Sequence, residues 1–163
     1  MAKHGYVETS GLAAIYGGGH IYSVRAYANV DNGALVKLEG TEAGSNEIRT
    51  GKNPAATDKV CLVASVLMGN GESSSESAET NLFNAKDSIM RAFDLVEGDR
   101  FAVSKEMIAG EPKVGEHLIT GDNGKYKAQA AAASSGFSAV VTGIEVKSQY
   151  TLVRVRVVKN ASA

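Results

Sequence analysis

Apolar and polar residues alternate with a period of two in many short runs along this chain. This is the pattern of β-strands that bury one face and expose the other. The clearest runs are residues 20–30 (HIYSVRAYANV) and the C-terminal stretch 136–160, in which two runs are joined through Lys147-Ser148-Gln149. In TLVRVRVVK the alternation places Val153, Val155 and Val157 on one face and Arg154 and Arg156 on the other.

Shorter strands are predicted between turn signals along the rest of the chain, at 34–40, 47–49, 59–65, 89–93, 100–104, 116–120 and 124–129. Asp31-Asn32-Gly33 and Gly121-Asp122-Asn123-Gly124 separate such runs, and Asn-Gly is a favoured dipeptide at hairpin reversals. Roughly ten short strands with almost no helix predict an all-β domain, a small barrel or sandwich with at most one short helix.

Two segments lack this alternation. Residues 1–19 have scattered apolar positions and end in three glycines, so we expect an extended N-terminal arm that lies on another surface. Residues 69–87 are rich in Ser and Glu, which predicts a flexible loop with at most a helical turn at 79–86. The predicted organisation is therefore an arm at 1–19 followed by one β-rich domain at 20–160. The arm's large apolar residues, the candidates for gripping a partner, are Tyr6, Leu12, Ile15 and Tyr16.

Composition narrows the class of protein. A chain of 163 residues with 44% hydrophobic content is long enough for one well-filled core. Its 17 Lys and Arg balance 18 Asp and Glu, so no global charge attracts nucleic acid or an anionic membrane. The single cysteine, Cys61, lies in the apolar run KVCLVAS and is expected to be a buried, unreactive thiol in a reducing compartment. No run is long enough for a transmembrane helix or a secretory signal, so we expect a soluble protein made in the cytoplasm.

The chain carries no pattern typical of an enzyme. The run Gly17-Gly18-Gly19-His20 lacks the flanking strand, helix and Lys-Ser/Thr ending of a phosphate-binding loop, so it is interpreted as a hinge. Three isolated histidines, without cysteine partners, predict no metal site and no cofactor. Two acidic pairs flank glycines in turns, where Asp is favoured for its own backbone hydrogen bonds, and turn chemistry explains them without a substrate. These histidines and pairs are His4, His20 and His117, and Asp31/Glu39 and Glu97/Asp99.

Basic and aromatic residues on strand faces leave one alternative open. Arg154 and Arg156, with Arg25 and Tyr27 on another strand, are the residue types that bind single-stranded nucleic acid on a β-barrel of the OB type. Aromatic residues make up only 6% of the chain, and the basic excess of such domains is missing. Arginines that simply keep a strand face soluble are the favoured interpretation.

Several motifs of this chain, each weak by itself, occur in an order that resembles a known protein family. The succession is VDNGALVKLEG, then EIRTG and PAATDKVCLVAS, then a polar stretch, then RAFDLVEGDRFAVSKEMIAGEPKVGEHL, and finally TGIEVKSQYTLVRVRVVKN. Over roughly residues 20–160 it resembles a family of small head proteins from tailed phages and prophages of Gram-positive bacteria. In outline it is also similar to the lambda-type head decoration protein. The Ser/Glu stretch at 72–80 departs from the family pattern, which has a longer aromatic and basic stretch there.

The resemblance implies a β-tulip-like domain with an extended N-terminal arm and a non-enzymatic role. Such a protein decorates the exterior of the virion capsid, binds the major capsid protein and stabilises the shell. It forms a homo-oligomer there, for which a trimer is one arrangement, and it binds neither nucleic acid nor membrane. The competing hypotheses are a tail or baseplate component that assembles into rings, and the single-strand-binding module described above.

Overall fold

The computed structural model of this chain describes residues 4–66 and 82–162. Nearly all regular structure in those ranges is β, and no helix of seven or more residues forms in them, which confirms the predicted all-β class. The strands are β1 (Val7–Gly11), β2 (Ile21–Arg25), β3 (Leu35–Thr41), β4 (Ile48–Lys52), β5 (Cys61–Val63), β6 (Ile89–Asp94), β7 (Arg100–Ser104), β8 (Ile108–Ala109), β9 (His117–Thr120), β10 (Tyr126–Gln129), β11 (Gly136–Val146) and β12 (Thr151–Ala161). Single 3-10 turns occur at Ala13–Tyr16, Lys105–Met107 and Asp122–Gly124.

Five strands close into a barrel in the order β2-β4-β3-β5-β6. β2 closes it by pairing antiparallel with β6, and its other neighbour is β4, to which it runs parallel. The inward residues Val24, Val36, Val63 and Met90 have no exposed surface. A closed barrel leaves no unpaired strand edge, so these five strands form a closed scaffold.

Seven strands form a second, curled sheet in the order β1-β7-β12-β11-β9-β10-β8. Its centre is the long antiparallel hairpin of β11 and β12. Val153, Val155 and Val157 are buried while Arg154 and Arg156 are exposed, so the predicted alternation is confirmed.

The hairpin predicted at residues 121–124 is also confirmed. β9 and β10 pair antiparallel on either side of this turn. Asn123 and Gly124 both have positive φ angles, of 54° and 72°, a conformation that Asn and Gly adopt at least cost. The Asn-Gly signal therefore identified a true reversal at this position.

The other Asn-Gly turn does not form a hairpin. Gly33 has a φ of 91°, but the flanking strands β2 and β3 do not pair with each other: β2 lies between β4 and β6, and β3 between β4 and β5. The turn instead carries the chain across the barrel, where the Gly33 N–H donates to Val63 O at 2.7 Å. The hairpin expectation at Asp31-Asn32-Gly33 is therefore wrong, because tertiary pairing overrides the local signal.

The two sheets share one continuous hydrophobic core. Tyr126, from β10, is fully buried between Phe101 and Phe137, and its hydroxyl donates to Gly33 O of the barrel at 2.8 Å. Burial raises the pKa of this hydroxyl well above its ordinary value, so Tyr126 remains a neutral donor. This bond joins the curled sheet to the barrel.

Of the loop predicted at 69–87, only the last six positions, 82–87, lie within the described residues. Those six, 82–87, differ from the expectation of a flexible loop or helical turn. Asn84 is only 2% exposed and forms an antiparallel bridge with Val30, with N–O distances of 2.8 and 2.9 Å in the two directions. Backbone pairing to the barrel thus orders this end of the segment.

Candidate functional site

The N-terminal segment, which here means residues 4–19, lies on its own domain. β1 pairs antiparallel with β7, with Val7 opposite Val103, and a bulge falls between Glu8 and Gly11. The Tyr6 N–H donates to Ser104 Oγ at 3.0 Å, and Tyr6 O accepts from Ser104 N–H at 2.9 Å. The arm was expected to lie on another surface, and over these residues that surface is β7 of the same chain.

Two aspartates bind the backbone of the segment, one at Gly5 and one at Ala13. Asp31 accepts from the Gly5 N–H at 3.1 Å and lies 2.8 Å from His4 Nδ1. Asp99, which is 3% exposed, accepts from the Ala13 N–H at 2.8 Å. Its other oxygen accepts from Val96 N–H within its own turn at 2.9 Å, as turn chemistry predicts. Both side chains thus bind backbone N–H groups of the segment, Asp31 that of Gly5 and Asp99 that of Ala13, and in each case the two residues are distant in sequence.

Close packing reinforces these bonds. A Cβ atom added at Gly5 would lie 2.5 Å from Asn32 O and would also collide with Met107, so only glycine fits this position. Leu12 has no exposed surface and belongs to the common core. Leu12 is therefore occupied within this fold and does not face a partner, which corrects its assignment as a gripping residue.

The other three predicted residues lie at or near the surface. Ile15 and Tyr16 are 41% and 75% exposed, in the 3-10 turn that follows β1. The Tyr16 hydroxyl donates to Ser10 O at 3.1 Å. Tyr6 is half-buried, with its ring centroid 5.0 Å from that of Tyr150. These side chains remain candidates for contact with a partner.

A cleft of about 550 Å³ lies between the N-terminal segment and the barrel wall. Tyr6 and Ile15 line its segment side, and Ile21 and Phe93 line its barrel side. Ile21 and Phe93 are cross-strand neighbours on β2 and β6, and their side chains point outward from the barrel. Val66, which is 79% exposed, also lines the cleft. The apolar residues of the segment and of the barrel therefore form one surface.

The rim of the cleft is polar and held in place by side chain to backbone bonds. Asn32 donates to Ser65 O and accepts from the Ser65 N–H, each at 2.9 Å. Arg91 lies with its guanidinium carbon 5.7 Å from the centroid of the Phe93 ring. Apolar and polar side chains thus line the cleft together, a mixture that is also found at protein–protein interfaces.

The remaining candidates for chemistry are dispersed or buried. Among residues 4–66 and 82–162, no three His, Cys, Asp or Glu side chains gather closely enough to hold a metal ion. Cys61 is buried as predicted, and burial raises the pKa of its thiol to about 12. Nor does any helix in those ranges have the length and apolar character to cross a membrane.

The arginines of the nucleic-acid alternative are largely engaged in ion pairs. Arg25 binds Glu42 through two nitrogens, at 3.0 and 3.1 Å, and the first cause of its raised pKa is this bond. Arg154 binds Glu145 at 2.6 Å. Both guanidinium groups are thus matched to carboxylates of the same chain.

Sequence reasoning missed the barrel side of the cleft. Ile21 and Phe93 were each recognised as strand residues, but no sequence pattern indicates that β2 pairs with β6 or that the N-terminal segment folds over the pair. The available signal was an excess of large apolar residues on strand faces that also carry Arg25 and Arg91.

Comparison of the chain with family models, with curated proteins and with solved structures finds no match.

Proposed function

We propose that this protein is a non-enzymatic decoration protein of a phage capsid, which binds the major capsid protein on the outside of the virion head. The observation that carries the proposal is the exposed apolar surface formed by the N-terminal segment and the cleft beside it. Contiguous apolar patches with polar rims mark interaction sites on soluble proteins. The order of motifs that resembles phage head proteins supports the capsid as the partner.

The docked segment makes such binding less costly. A free arm would lose about 1–2 kcal/mol of backbone entropy for each residue that becomes ordered on the capsid. In this fold the segment is already ordered on β7, so that cost belongs to folding and not to binding. Ile15, Tyr16 and Ile21 are therefore presented as a preorganised surface, which raises affinity for a given contact area.

The experiment is co-sedimentation of the purified protein with expanded capsids that lack it. Wild type is expected to bind saturably and to raise the thermal resistance of the shell. The double variant Ile15→Asp/Tyr16→Asp places two carboxylates on the apolar surface and should bind at least about tenfold more weakly. Val114→Asp is the matched control, because Val114 is 65% exposed in the loop before β9, outside the cleft lining, and should bind like wild type.

Three results would count against the proposal, in whole or in part. Wild type that fails to bind expanded capsids removes the function itself. If it instead forms a stable ring of six or more copies in solution, the tail or baseplate hypothesis takes its place. Equal binding by wild type and the double variant would rule out this surface as the capsid contact, but it would leave the capsid-decoration role standing.

We favour the capsid role over nucleic-acid binding, because Arg25 and Arg154 are already paired with carboxylates of the same chain. Titration with labelled single-stranded DNA at moderate salt is its test. Saturable binding that is lost in Arg154→Ala/Arg156→Ala would revive it.

A further inference from the structure

Two arginines lie side by side on the outer face of the curled sheet. Arg100 of β7 is directly opposite Arg156 of β12, so both side chains are on the same face of the sheet, and both are exposed. The Val157 N–H donates to Asp99 O at 2.8 Å, so the next pair along the ladder, Arg156 and Arg100, is a non-hydrogen-bonded pair. Opposite side chains are closest in such pairs, with Cα atoms about 4.5 Å apart. Two positive charges are therefore held next to each other.

Neither guanidinium group has a partner within residues 4–66 and 82–162, where no side-chain hydrogen bond, ion pair or ring contact involves Arg100 or Arg156. The other four arginines of those ranges each have a partner in the same chain: Arg25 binds Glu42, Arg154 binds Glu145, Arg49 donates to Glu39 O, and Arg91 packs over the Phe93 ring. Like charges directly opposite each other destabilise a sheet. The arginine pair therefore lowers the stability of the free protein unless a negative charge from outside the chain joins it.

The acidic residues around the pair are bound to other groups or do not reach it. Asp99, the residue before Arg100, accepts from two backbone N–H groups, and Glu97 of the same turn forms no ion pair within the described residues. The carboxylates on the same face of the sheet neutralise other cations: Glu145 binds Arg154 at 2.6 Å, and Glu8 binds Lys147 at 3.1 Å. The two charges of the pair thus remain without a neutralising carboxylate in the described parts of the chain.

A groove of about 370 Å³ lies beside the pair and gives an anion access to it. Arg100 and Arg154 line the groove, together with Ser10 and Gly11 of β1. A Cβ atom added at Gly11, which is opposite Arg100, would lie 2.6 Å from Arg100 O and 2.9 Å from Arg100 Cβ. Only glycine fits at this point, and no side chain from the opposite position of β1 covers Arg100.

We propose that Arg100 and Arg156 bind a phosphate group that carries two negative charges, either inorganic phosphate or a small phosphomonoester. Each guanidinium presents a planar fork of N–H donors that matches two phosphate oxygens. A carboxylate has one charge and is satisfied by one arginine, as Glu145 is by Arg154. A doubly charged phosphate has oxygens enough for both forks, and its charge equals that of the pair. This inference does not depend on the capsid proposal.

The experiment is a nuclear magnetic resonance titration of the full chain with sodium phosphate at pH 7.5, with the ionic strength held constant by sodium chloride. The amide and guanidinium signals of Arg100 and Arg156 should shift saturably. Arg100→Gln and Arg156→Gln should each weaken binding about tenfold, since each removes charge-assisted hydrogen bonds to the phosphate. Arg156→Lys should bind with intermediate strength, because it keeps the charge and loses the fork. Lys86→Gln is the matched control: it removes a charge from an exposed side chain near the barrel and should bind like wild type.

Thermal unfolding gives a second readout. Without phosphate, both glutamine variants should unfold at the wild-type temperature or above it, because the like-charge contact is relieved. Phosphate should then raise the unfolding temperature of wild type and of Lys86→Gln, but not that of either glutamine variant. Lower unfolding temperatures for both glutamine variants without phosphate would assign the pair a structural role and overturn the proposal.

Parallel titrations separate the sources of the charge. Tighter binding of glycerol phosphate than of inorganic phosphate would identify an ester as the ligand, and the reverse order would identify free phosphate. Shifts that chloride produces equally, that do not saturate, or that persist in Arg156→Gln would overturn the site. An oligothymidylate that binds more tightly than either phosphate, and that both glutamine variants lose, would overturn it too and assign the pair to nucleic acid, whose phosphodiesters carry one charge each.

Discussion

Each strand of the barrel has a paired neighbour on both sides, whereas β1 of the N-terminal segment has one described neighbour, β7. The barrel is held by a closed ladder around side chains such as Val63 and Met90, which have no exposed surface. The segment is held by one strand pairing, two aspartates and the buried Leu12. From this difference we infer different roles for the two regions. The barrel supplies stiffness, and the segment exposes apolar residues that are already ordered, so little backbone entropy is lost when they bind a partner.

The largest expected effect concerns access to the interior of the barrel. With the pKa of the Cys61 thiol at about 12, roughly one thiol in 10,000 is ionised at pH 8, against about a quarter at the ordinary cysteine pKa. Cys61 in the native protein should therefore react with Ellman's reagent at least about a thousandfold more slowly than in urea. A native rate within tenfold of the unfolded rate would show that the barrel opens readily.

Truncation within the barrel comes next. Met90→Ala removes a buried side chain from the inward face of β6 and should lower the free energy of unfolding by about 2–5 kcal/mol. Urea titration followed by circular dichroism measures this loss. A loss below about 1 kcal/mol would mean that the barrel core is loosely packed, and the assignment of stiffness to the barrel would fail.

A smaller effect is expected when docking of the N-terminal segment is disturbed. Gly5→Ala forces a methyl group against Asn32 O and should cost about 1–3 kcal/mol. Hydrogen exchange should become faster at β1 and at the Ser104 amide, while β5 and β6 remain protected. Gly40→Ala is the matched control, because an added Cβ there meets nothing within 4 Å. Equal loss of protection in the barrel would show that segment and barrel unfold together.

The smallest effect concerns an ion pair on the outside of the barrel. Lys37 Nζ lies 2.6 Å from Asp58 Oδ1, and this bond, followed by that from the Ala55 N–H, lowers the pKa of Asp58. A lowered pKa stabilises the fold above the ordinary Asp value of about 3.9, and the contribution is lost as the pH falls through the lower, folded-state value.

Asp58→Asn should therefore be less stable than wild type at pH 6, and the two should converge as the pH falls through the lowered pKa of Asp58. Thermal unfolding at a series of pH values measures the difference. Glu111→Gln, at a carboxylate that is 78% exposed, should differ little from wild type at any pH. A gap between Asp58→Asn and wild type that widens in acid would contradict the sign of the shift.

Local sequence signals predicted the parts of this fold in which pairing is local. The β11–β12 hairpin and the reversal at residues 121–124 follow from alternation and from Asn-Gly, since their partners are adjacent in the chain. β1 was missed because VETSG is short and shows no clear apolar alternation. Its place is determined by Asp31, Asp99 and Gly5, whose contacts join positions distant in sequence.

The candidate site was predicted in part. Tyr6, Ile15 and Tyr16 were selected as large apolar residues in a segment without a core of its own, and the structure places them at or near the surface. Leu12 has the same character in sequence, but packing against the common core buries it. Ile21 and Phe93 join the site through β2–β6 pairing, which no local pattern reveals.

We propose that the face formed by the N-terminal segment and its cleft docks on the capsid. Electron cryomicroscopy of expanded capsids with and without this protein tests it most directly. We expect added density on the outer surface, with Ile15, Tyr16 and Ile21 against the shell and the opposite side of the domain facing solvent. Added density in which this face points to solvent, or no added density under saturating protein, would contradict it.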